Sequence, residues 1–286
     1  MDKEFIAVDN CGGTYDGRVY MSYTQFIYEG GCKETYVASP ILVASLSPDA
    51  STVLQTVRVG GDADTYSHGS IPVVDSQGNL YVAYQTTDDA CPITSTQLNA
   101  SAQPVFQQQS IHIVKSSDGG ATFGAPVKVA CQFALPREQG QWSRLISTEF
   151  RVNGFPSIAV NPVSGHIYLT WAEWTANDAS NVYVSASQDG GATWSSPVRA
   201  NDDTPGLQRD QFFPWITSCL KEVEVLSAEY NTYFTQVNPP GEKIFKLRFE
   251  KLMVWCFGKL RKKTFYTSPS MLADFAIFVR GGVIAN

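Results

Sequence analysis

Two arginines in this sequence precede similar segments and are the first candidates for a ligand site. Arg151 and Arg209 stand at the same offset before Phe155 and Phe213 (155 − 151 = 213 − 209 = 4), and Asp210 lies beside the second arginine. A guanidinium group can hold a carboxylate through paired, charge-assisted hydrogen bonds, and a carboxyl group can transfer a proton. The arginines are therefore either ligands of an anion or partners in structural ion pairs, and the structural interpretation is favoured.

Two further groups carry side chains that could meet a sugar or an ion. Glu173 and Trp174 end an apolar run and could bind a glycan by hydrogen bonding and ring stacking, although a Trp there also suits packing between sheets. Asp62, Asp64 and Tyr66 form an acidic loop that could supply an acid or a calcium ligand, while a solvated turn is the simpler interpretation. With the arginines and their neighbouring acid, Asp64 and Tyr66 are the candidate catalytic residues.

The histidines and cysteines form no metal motif, so we expect neither a metal nor a cofactor. The pairs Cys11/Cys32 and Cys91/Cys131 each flank a loop region, which suits two local disulfides in an oxidising compartment. Free, buried thiols fit the same spacing equally well. The cysteines favour an exported protein, extracellular or periplasmic, and leave the disulfide state open.

A short motif, Ser-x-Asp-x-Gly-x-Thr-aromatic, occurs twice between strand-like segments. The Asp can accept turn amide hydrogens, the glycines permit positive φ, and the aromatic ring can pack under the loop. We therefore predict that both copies fix turns and take no part in chemistry. A weaker third copy runs from Ser47 to Thr52, with Ser51 in place of the key glycine. The complete copies are Ser116, Asp118, Gly120, Thr122 and Phe123, and Ser187, Asp189, Gly191, Thr193 and Trp194.

These turns belong to a longer repeat. Residues 5–23, 71–84 and 156–171 each combine a short apolar strand, a turn containing Gly, and an alternating strand that ends in an aromatic residue. Each unit reads as a β-hairpin, and a repeat of this kind is typical of arrays and propellers. The sequence therefore predicts an all-β fold.

The motif and its context resemble the Asp-box, or bacterial neuraminidase repeat, of sialidase-like β-propellers. The resemblance covers residues 4 to about 218 and implies four-stranded antiparallel blades around an axis, six in the family. It places blades at 4–60, 68–131 and 155–201, with the start of a fourth at 210. The expected domain, 1–218, is thus a partial propeller.

The resemblance implies a site that this sequence does not fully supply. In the family, a Glu activates a Tyr nucleophile, an Asp serves as acid and base, and three Arg hold the substrate carboxylate. The first Arg stands in an Arg-Ile-Pro segment, and this sequence has no such tripeptide. We therefore expect a non-catalytic module that binds glycan or protein or acts as a scaffold. An exo-α-sialidase or related glycoside hydrolase is the alternative.

The composition and charge limit the classes of function that remain. The chain has 286 residues, 43% of them hydrophobic, which is enough for a sizeable core. The net charge of −6 argues against nucleic acid as a partner, and no apolar run is long enough to span a membrane. The repeat stops near 218, and we expect residues 219–286 to be an atypical basic tail. A truncated or frame-shifted product is favoured over a native segment of another kind or an oligomer that completes the ring.

Overall fold

The computed structural model shows an all-β chain, and it describes ten ranges of residues. These ranges are 1–30, 35–60, 66–88, 90–91, 108–133, 152–175, 178–206, 209–218, 223–230 and 246–252. In chain order the strands of the first half are β1 (Asp2–Val8), β2 (Val19–Thr24), β3 (Ile27–Glu29), β4 (Thr35–Ala38), β5 (Ile41–Leu46), β6 (Val53–Gly60), β7 (Ser67–Val74), β8 (Leu80–Thr87), β9 (Gln108–Ser116) and β10 (Val127–Phe133). Those of the second half are β11 (Ser157–Val160), β12 (Ile167–Thr175), β13 (Ala179–Ser187), β14 (Val198–Arg199), β15 (Asp210–Ser218), β16 (Val223–Tyr230) and β17 (Lys246–Leu252).

The strands form four antiparallel sheets and one added hairpin. Sheet 1 has the order β1-β2-β5-β6, sheet 2 the order β7-β8-β9-β10, sheet 3 the order β11-β12-β13-β14, and sheet 4 the order β15-β16-β17. The hairpin β3-β4 is inserted between β2 and β5 of sheet 1. The first three sheets extend from Asp2 to Gly60, from Ser67 to Phe133 and from Ser157 to Arg199, and the predicted domain division stays a prediction.

The first strand of each sheet lies at the centre of the arrangement. Strand β7 contacts β1 and β11, and β11 contacts β15. Successive sheets therefore radiate from a common axis, as blades of a β-propeller do. The ring is not closed, and the predicted count of six blades stays a prediction.

Sheet 4 extends past residue 218, where the sequence placed the end of the propeller. Strand β16 pairs with β15 from Ser218↔Val223, and β17 pairs with β16 from Val223↔Leu252. The repeat signal stops at this point although strand pairing continues, because pairing depends on backbone geometry as well as on the turn residues. The nature of the remaining residues, 253–286, stays a prediction, since they lie outside the described ranges.

The turns between the first two strands of sheets 1, 2 and 3 are built on one equivalent residue. Asp75 Oδ1 accepts hydrogen bonds from the backbone N–H groups of Gln77 and Asn79, at 2.8 and 2.9 Å. Asp9 and Asn161 hold the same place in their own hairpins and accept backbone hydrogen bonds in the same way. Side chains of this type stabilise turns by local bonds of this kind. The repeated hairpin predicted from sequence is thereby confirmed.

The two complete copies of the Ser-x-Asp-x-Gly-x-Thr-aromatic motif, whose turns we call Asp-box turns after the family motif that they resemble, adopt one geometry. Asp118 Oδ1 accepts hydrogen bonds from Ser116 Oγ at 2.7 Å and from the Thr122 N–H at 2.9 Å, while Ser116 Oγ accepts one from the Gly120 N–H at 2.9 Å. The second copy repeats these bonds at 2.8, 2.9 and 2.8 Å through Ser187, Asp189, Thr193 and Gly191. The hydrogen bonds that each Asp accepts, first the one from the hydroxyl of Thr122 or Thr193 to Oδ2 and then those to Oδ1, lower the pKa of both carboxyls to about 2.

The glycines of the motif let each turn approach the preceding sheet. Gly119 and Gly120 have φ of +70° and +81°, which other residues rarely adopt. A Cβ at Gly120 would lie 2.5 Å from Ser45 Oγ of sheet 1. The Gly119 carbonyl also accepts a hydrogen bond from Arg18 at 2.9 Å. The motif thus serves both the turn and the contact between sheets.

The weaker third copy forms a related but different turn. Ser47 Oγ donates to Asp49, as in the complete copies, and Ala50 takes a positive φ of +57°. Asp49 then accepts hydrogen bonds from the N–H and the Oγ of Ser51, at 3.1 and 2.8 Å, because no Thr follows at the position of Thr122. The third copy therefore keeps hydrogen bonds to its Asp carboxylate, but some of the donors differ.

Apolar residues fill each space between consecutive sheets. We call the face of a sheet that looks toward the preceding sheet its rear face. On sheet 3 the rear face carries Ile158, Ile167, Leu169 and Trp171, which pack with Ile71, Tyr81, Ile111 and Ile113 of sheet 2. On sheet 4, Ile216 and Val225 pack in the same way against sheet 3. Burial on this scale supplies most of the driving force for the fold.

The rear face of sheet 1 carries the same pattern and is open. Ile6 stands three residues before the turn residue Asp9, as Ile158 stands before Asn161 (9 − 6 = 161 − 158 = 3). Ile6 is 67% exposed, whereas Ile158 is 6% exposed. The register Ile6↔Met21 matches Ile158↔Leu169. The same repeat position is therefore buried between two described sheets in one unit and exposed in another.

One predicted disulfide forms and the other does not. Cys91 and Cys131 are bonded, with their Cα atoms 5.5 Å apart. Cys11 is a free thiol that donates a hydrogen bond to the Asp75 carbonyl at 2.7 Å. Of the two interpretations that the spacing left open, the free thiol therefore holds for Cys11, and Cys32 lies outside the described residues. Within the described ranges, no helix has the length and apolar character needed to cross a membrane.

The contrast between Ile6 and Ile158 predicts unequal costs for the same substitution. Ile158→Ala should lower the free energy of unfolding by about 2 to 5 kcal/mol, because it leaves a cavity between sheets 2 and 3. Ile6→Ala should change it by about 0.5 kcal/mol or less. Urea denaturation of both variants measures the difference, and equal losses would contradict the open rear face of sheet 1.

The Asp-box bonds predict a pH-dependent contribution to stability. Because Asp189 has a pKa of about 2 in the fold, its contribution should be complete above about pH 4, the ordinary pKa, and should be lost as the pH falls toward 2. Asp189→Asn should therefore destabilise the protein at pH 7 and less so at pH 2.5. Urea midpoints at both pH values test this; a deficit of the same size at both would be inconsistent with it.

Candidate functional site

The candidate site lies at the end of the sheets where β1, β7, β11 and β15 begin, which we call the mouth end. Since the strands of each sheet are antiparallel, the Asp-box turns and the first hairpin turns lie at the opposite end. The described loops 152–156 and 200–206 and the hairpin β3-β4 lie at the mouth end. Ligands of propellers commonly bind where such loops surround the axis, and pockets of this kind combine apolar walls with a few polar groups.

Three polar side chains form a hydrogen-bonded chain at this end. The Tyr66 hydroxyl lies 3.1 Å from His68 Nδ1, and His68 Nε2 lies 3.2 Å from Asp2 Oδ2. The His68 side chain is 5% exposed and that of Asp2 is 47% exposed. The chain therefore runs between sheets 1 and 2, with its carboxylate reaching solvent. It can orient a hydroxyl and move a proton between oxygen and nitrogen atoms.

Bulges in the central strands shape the mouth end. Pairing shifts register between Asp2 and Phe5, between His68 and Ile71, and between Phe212 and Trp215. Each shift contains a residue with positive φ, namely Lys3 at +57°, Gly69 at +65° and Phe213 at +51°. Bulges redirect the side chains next to them. Positive φ at Lys3 and Phe213 is strained backbone of the kind that clusters at binding sites.

Aromatic rings surround the polar chain. His68 meets the Phe155 ring edge-on at 4.7 Å and the Phe26 ring at 5.2 Å, between centroids. Lys3 Nζ stands 5.5 Å from the centre of the Phe155 ring. A Cβ at Gly69 would lie 2.3 Å from Phe155, so glycine is required for this contact as well as for its φ. Rings from sheets 1, 2 and 3 thus meet at one place.

Asp210 is a buried carboxyl group at the start of β15. It is 2% exposed, and its Oδ1 accepts hydrogen bonds from the Ser180 N–H at 3.2 Å and from Ser180 Oγ at 3.0 Å. Burial raises the pKa of this carboxyl, and the bonds from Ser180 oppose the rise. A carboxyl with a raised pKa can act as a proton donor.

The other predicted ligand residues on sheet 3 are held by packing. Glu173 Oε2 accepts a hydrogen bond from Trp171 Nε1 at 3.0 Å. Trp174 is 8% exposed, so a sugar could stack on its ring only after a movement of the side chain. The interpretation of Trp174 as packing between sheets agrees better with this burial than a ligand role does. Both ligand roles stay predictions.

An ion-pair network braces the mouth end of sheet 3. Arg199 pairs with Asp178 at 2.9 Å and with Asp203 at 3.2 Å, and its Nε donates to Asn181 Oδ1 at 2.8 Å. Asn201 donates to Asn181 and to Asp203 at 2.8 and 2.6 Å. Partly buried pairs that are joined by hydrogen bonds hold the ends of β13 and β14 together.

The structure joins some of the predicted residues and leaves others untested. Tyr66 lies in the polar chain, whereas Arg151, Asp62 and Asp64 lie outside the described residues. Arg209 is half-buried beside Asp210. No group of three or more His, Cys, Asp or Glu that could hold a metal ion occurs within the described ranges.

Two residues of the polar chain were not predicted from sequence. Asp2 and His68 each stand seven residues before the turn residues Asp9 and Asp75 (9 − 2 = 75 − 68 = 7). The repeat therefore indicated that the two residues occupy equivalent positions on neighbouring central strands. It could not reveal that a carboxylate and an imidazole at these positions would be close enough to bond.

No protein-family model and no curated protein matches the chain. Among solved structures, a protein of unknown function from Dyadobacter fermentans is similar with a TM-score of 0.50 and 13% identity, over 87% of this chain and 64% of that one. A Hadza microbial sialidase has a TM-score of 0.49 at 12% identity, over 86% of this chain and 43% of that one. An α-L-arabinanase from Penicillium chrysogenum has 0.47 at 12%, over 88% and 62%.

The chain spans less than two thirds of the length of each of these three proteins. The similarity to the Dyadobacter protein supports the fold alone. The strand topology itself identifies the fold as a β-propeller arrangement of blades. Neither a family nor an activity follows from these similarities.

The raised pKa of Asp210 predicts that its charge destabilises the fold at neutral pH. A carboxyl whose pKa is raised by folding favours the folded state when protonated, so stability should fall as the pH rises from about 4 through the raised pKa. Asp210→Asn should remove this loss and increase stability at pH 7, since the amide oxygen can still accept from Ser180. Urea denaturation of the parent and the variant from pH 4 to 8 measures this difference in stability.

Asp178→Asn provides the matched control, because Asp178 pairs with Arg199. This substitution removes a charge from an ion pair and should lower stability at pH 7. If Asp210→Asn lowered stability to the same degree, the carboxylate of Asp210 would have to be paired in the folded protein.

Proposed function

We propose that this chain is a sialidase-like propeller module that binds glycan at its mouth end without cleaving it. The observation that carries this proposal is the group of rings around the hydrogen-bonded chain of Tyr66, His68 and Asp2. Sugars present apolar C–H faces that stack on rings and hydroxyls that bond to polar side chains. Both kinds of group meet at the mouth end.

The two complete Asp-box turns support the sialidase-like type of propeller. Their serine, aspartate, glycine and threonine side chains or amides make the same bonds in both copies. Because they lie at the end opposite the mouth, we assign them a structural role. They brace consecutive sheets, and the ligand would meet other residues.

We further propose that the protein works outside the cytoplasm, in an extracellular or periplasmic setting. The bond between Cys91 and Cys131 closes a loop at the mouth end, and disulfides of this structural kind persist in oxidising compartments. Reduction with dithiothreitol, followed by thermal melting, would reveal how strongly the mouth end depends on this bond.

A second candidate function is hydrolysis of a terminal sialic acid. The observation that favours it is the contact of the Tyr66 hydroxyl with His68, since an adjacent base can activate a Tyr for nucleophilic attack. The arginines with described side chains offer less support. Arg18 bonds to Gly119 at the turn end, and Arg199 is engaged in the network of sheet 3. The arginines that the sequence offers for a carboxylate clamp are Arg151 and Arg209.

Binding and turnover can be separated with one substrate and two variants. We expect the purified chain to bind 3′-sialyllactose on a glycan array and in calorimetry, and to leave a fluorogenic sialoside uncleaved. Tyr66→Phe removes the hydroxyl of the polar chain and should weaken binding about three- to tenfold, the effect of one hydrogen bond.

Tyr15→Phe is the matched control, because Tyr15 lies in the first hairpin turn at the opposite end. It should bind as the parent does. Cleavage of the sialoside that is lost in both Tyr66→Phe and Arg151→Ala would support the hydrolase instead. Equal binding by parent and Tyr66→Phe would place the ligand elsewhere on the molecule.

A further inference from the structure

The hairpin β3-β4 is an addition to the four-stranded pattern of sheet 1, and it lies at the mouth end. It occupies the connection between β2 and β5, where sheet 3 connects β12 (ending at Thr175) to β13 (starting at Ala179) by a short turn. The hairpin makes no pairs with the strands of sheet 1 and forms a sheet of its own. Its side chains are therefore available for something other than the core of the blade.

We propose that this hairpin extends the glycan site into a platform for an oligosaccharide chain, so that the ligand is a chain of several sugars and not a single terminal sugar. The proposal rests on the proposed function and specifies its ligand class. Its basis is a continuous strip of aromatic rings that runs from the axis onto the hairpin.

The strip contains five rings in succession. From Phe155, the next ring is His68 at 4.7 Å, followed by Tyr66 at 5.7 Å, Tyr36 at 6.1 Å and Tyr28 at 6.0 Å, all between centroids. Phe26 packs beside the middle of the strip, 6.0 Å from Tyr66 and 5.2 Å from His68. Because His68 is buried within this row, the stacking positions for sugars are the exposed rings Tyr36 and Tyr28 at its hairpin end.

Exposure rises along the strip toward the hairpin. His68 is 4% exposed, Tyr36 is 38% exposed and Tyr28 is 52% exposed. Rings that only anchored the hairpin would be covered by it, whereas Tyr28 is 52% and Tyr36 38% exposed. Adjacent exposed rings provide apolar surface on which a ligand can stack.

The exposed rings are also held in place, which favours binding. The Tyr36 hydroxyl lies 2.7 Å from Ser39 Oγ, and Ser39 Oγ accepts a hydrogen bond from the Ser67 N–H at 2.9 Å. The Tyr36 ring is thus tied to the start of β7, beside Tyr66. Tyr has few rotatable bonds, so a fixed Tyr loses little entropy when a ligand stacks on it.

The test compares two glycans that share the same terminal sugars and differ in length. The probes are 3′-sialyllactose, a trisaccharide, and sialyllacto-N-tetraose, a pentasaccharide, and calorimetry with the full chain measures both dissociation constants. We expect the pentasaccharide to bind about tenfold more tightly, the gain from one or two stacked rings. Tyr28→Ala should remove this gain and leave the affinity for the trisaccharide unchanged.

The outcomes distinguish the oligosaccharide platform from the proposed binding of glycan at the axis. Equal affinities of the parent for both probes, or an equal loss for both probes in Tyr28→Ala, would overturn the platform and leave glycan binding at the axis intact. Binding of neither probe by the parent would overturn the proposed function and the platform with it. Tyr15→Ala, at the opposite end, should retain the tenfold preference, and Tyr28 is exposed enough that its substitution should leave the thermal midpoint unchanged.

Discussion

The structure depends on the packing of each sheet's rear face against the sheet before it. This contact buries Ile158 and Leu169 between sheets 2 and 3, and Ile216 between sheets 3 and 4. It is non-directional, so it brings the sheets together but does not by itself set their alignment. The Asp-box turns add direction, because their glycines approach the preceding sheet closely and the Gly119 carbonyl bonds to Arg18. Apolar packing and turn contacts together place the central strands around one axis.

Alignment of the central strands is what creates the mouth end. Asp2 and His68 occupy equivalent positions on β1 and β7 and bond across the boundary between sheets. The bulges at Lys3, Gly69 and Phe213 turn neighbouring side chains out of the regular alternation of a strand. Strained backbone at these places is maintained by the surrounding sheets. Within one repeat, some residues therefore stabilise the end opposite the mouth, and different residues shape the mouth end.

The open rear face of sheet 1 shows how strongly context controls a repeated residue. Ile6 and Ile158 hold the same position in their units, and their exposed fractions are 67% and 6%. The same holds for polar positions: Asp75 and Asn161 both serve as turn residues, although only Asp75 also accepts a hydrogen bond from Tyr81. The repeat supplies a common scaffold, and neighbouring sheets decide what each position contributes. The added hairpin β3-β4 lies outside the blade, and it can therefore carry exposed rings.

The sequence by itself determined the local structure of this protein. Period-two alternation, the turn residues Asp9, Asp75 and Asn161, and the Asp-box motifs act over a few residues, so hairpins, their order and the first three sheets could be predicted. The Cys91–Cys131 bond was one of two open interpretations, and Cys11 proved to be free. Only the tertiary structure decided that β16 and β17 continue sheet 4, and that Asp2, His68 and Tyr66 form a chain. Those contacts join residues as many as 66 positions apart, and their distances depend on how whole sheets pack, which no local pattern specifies.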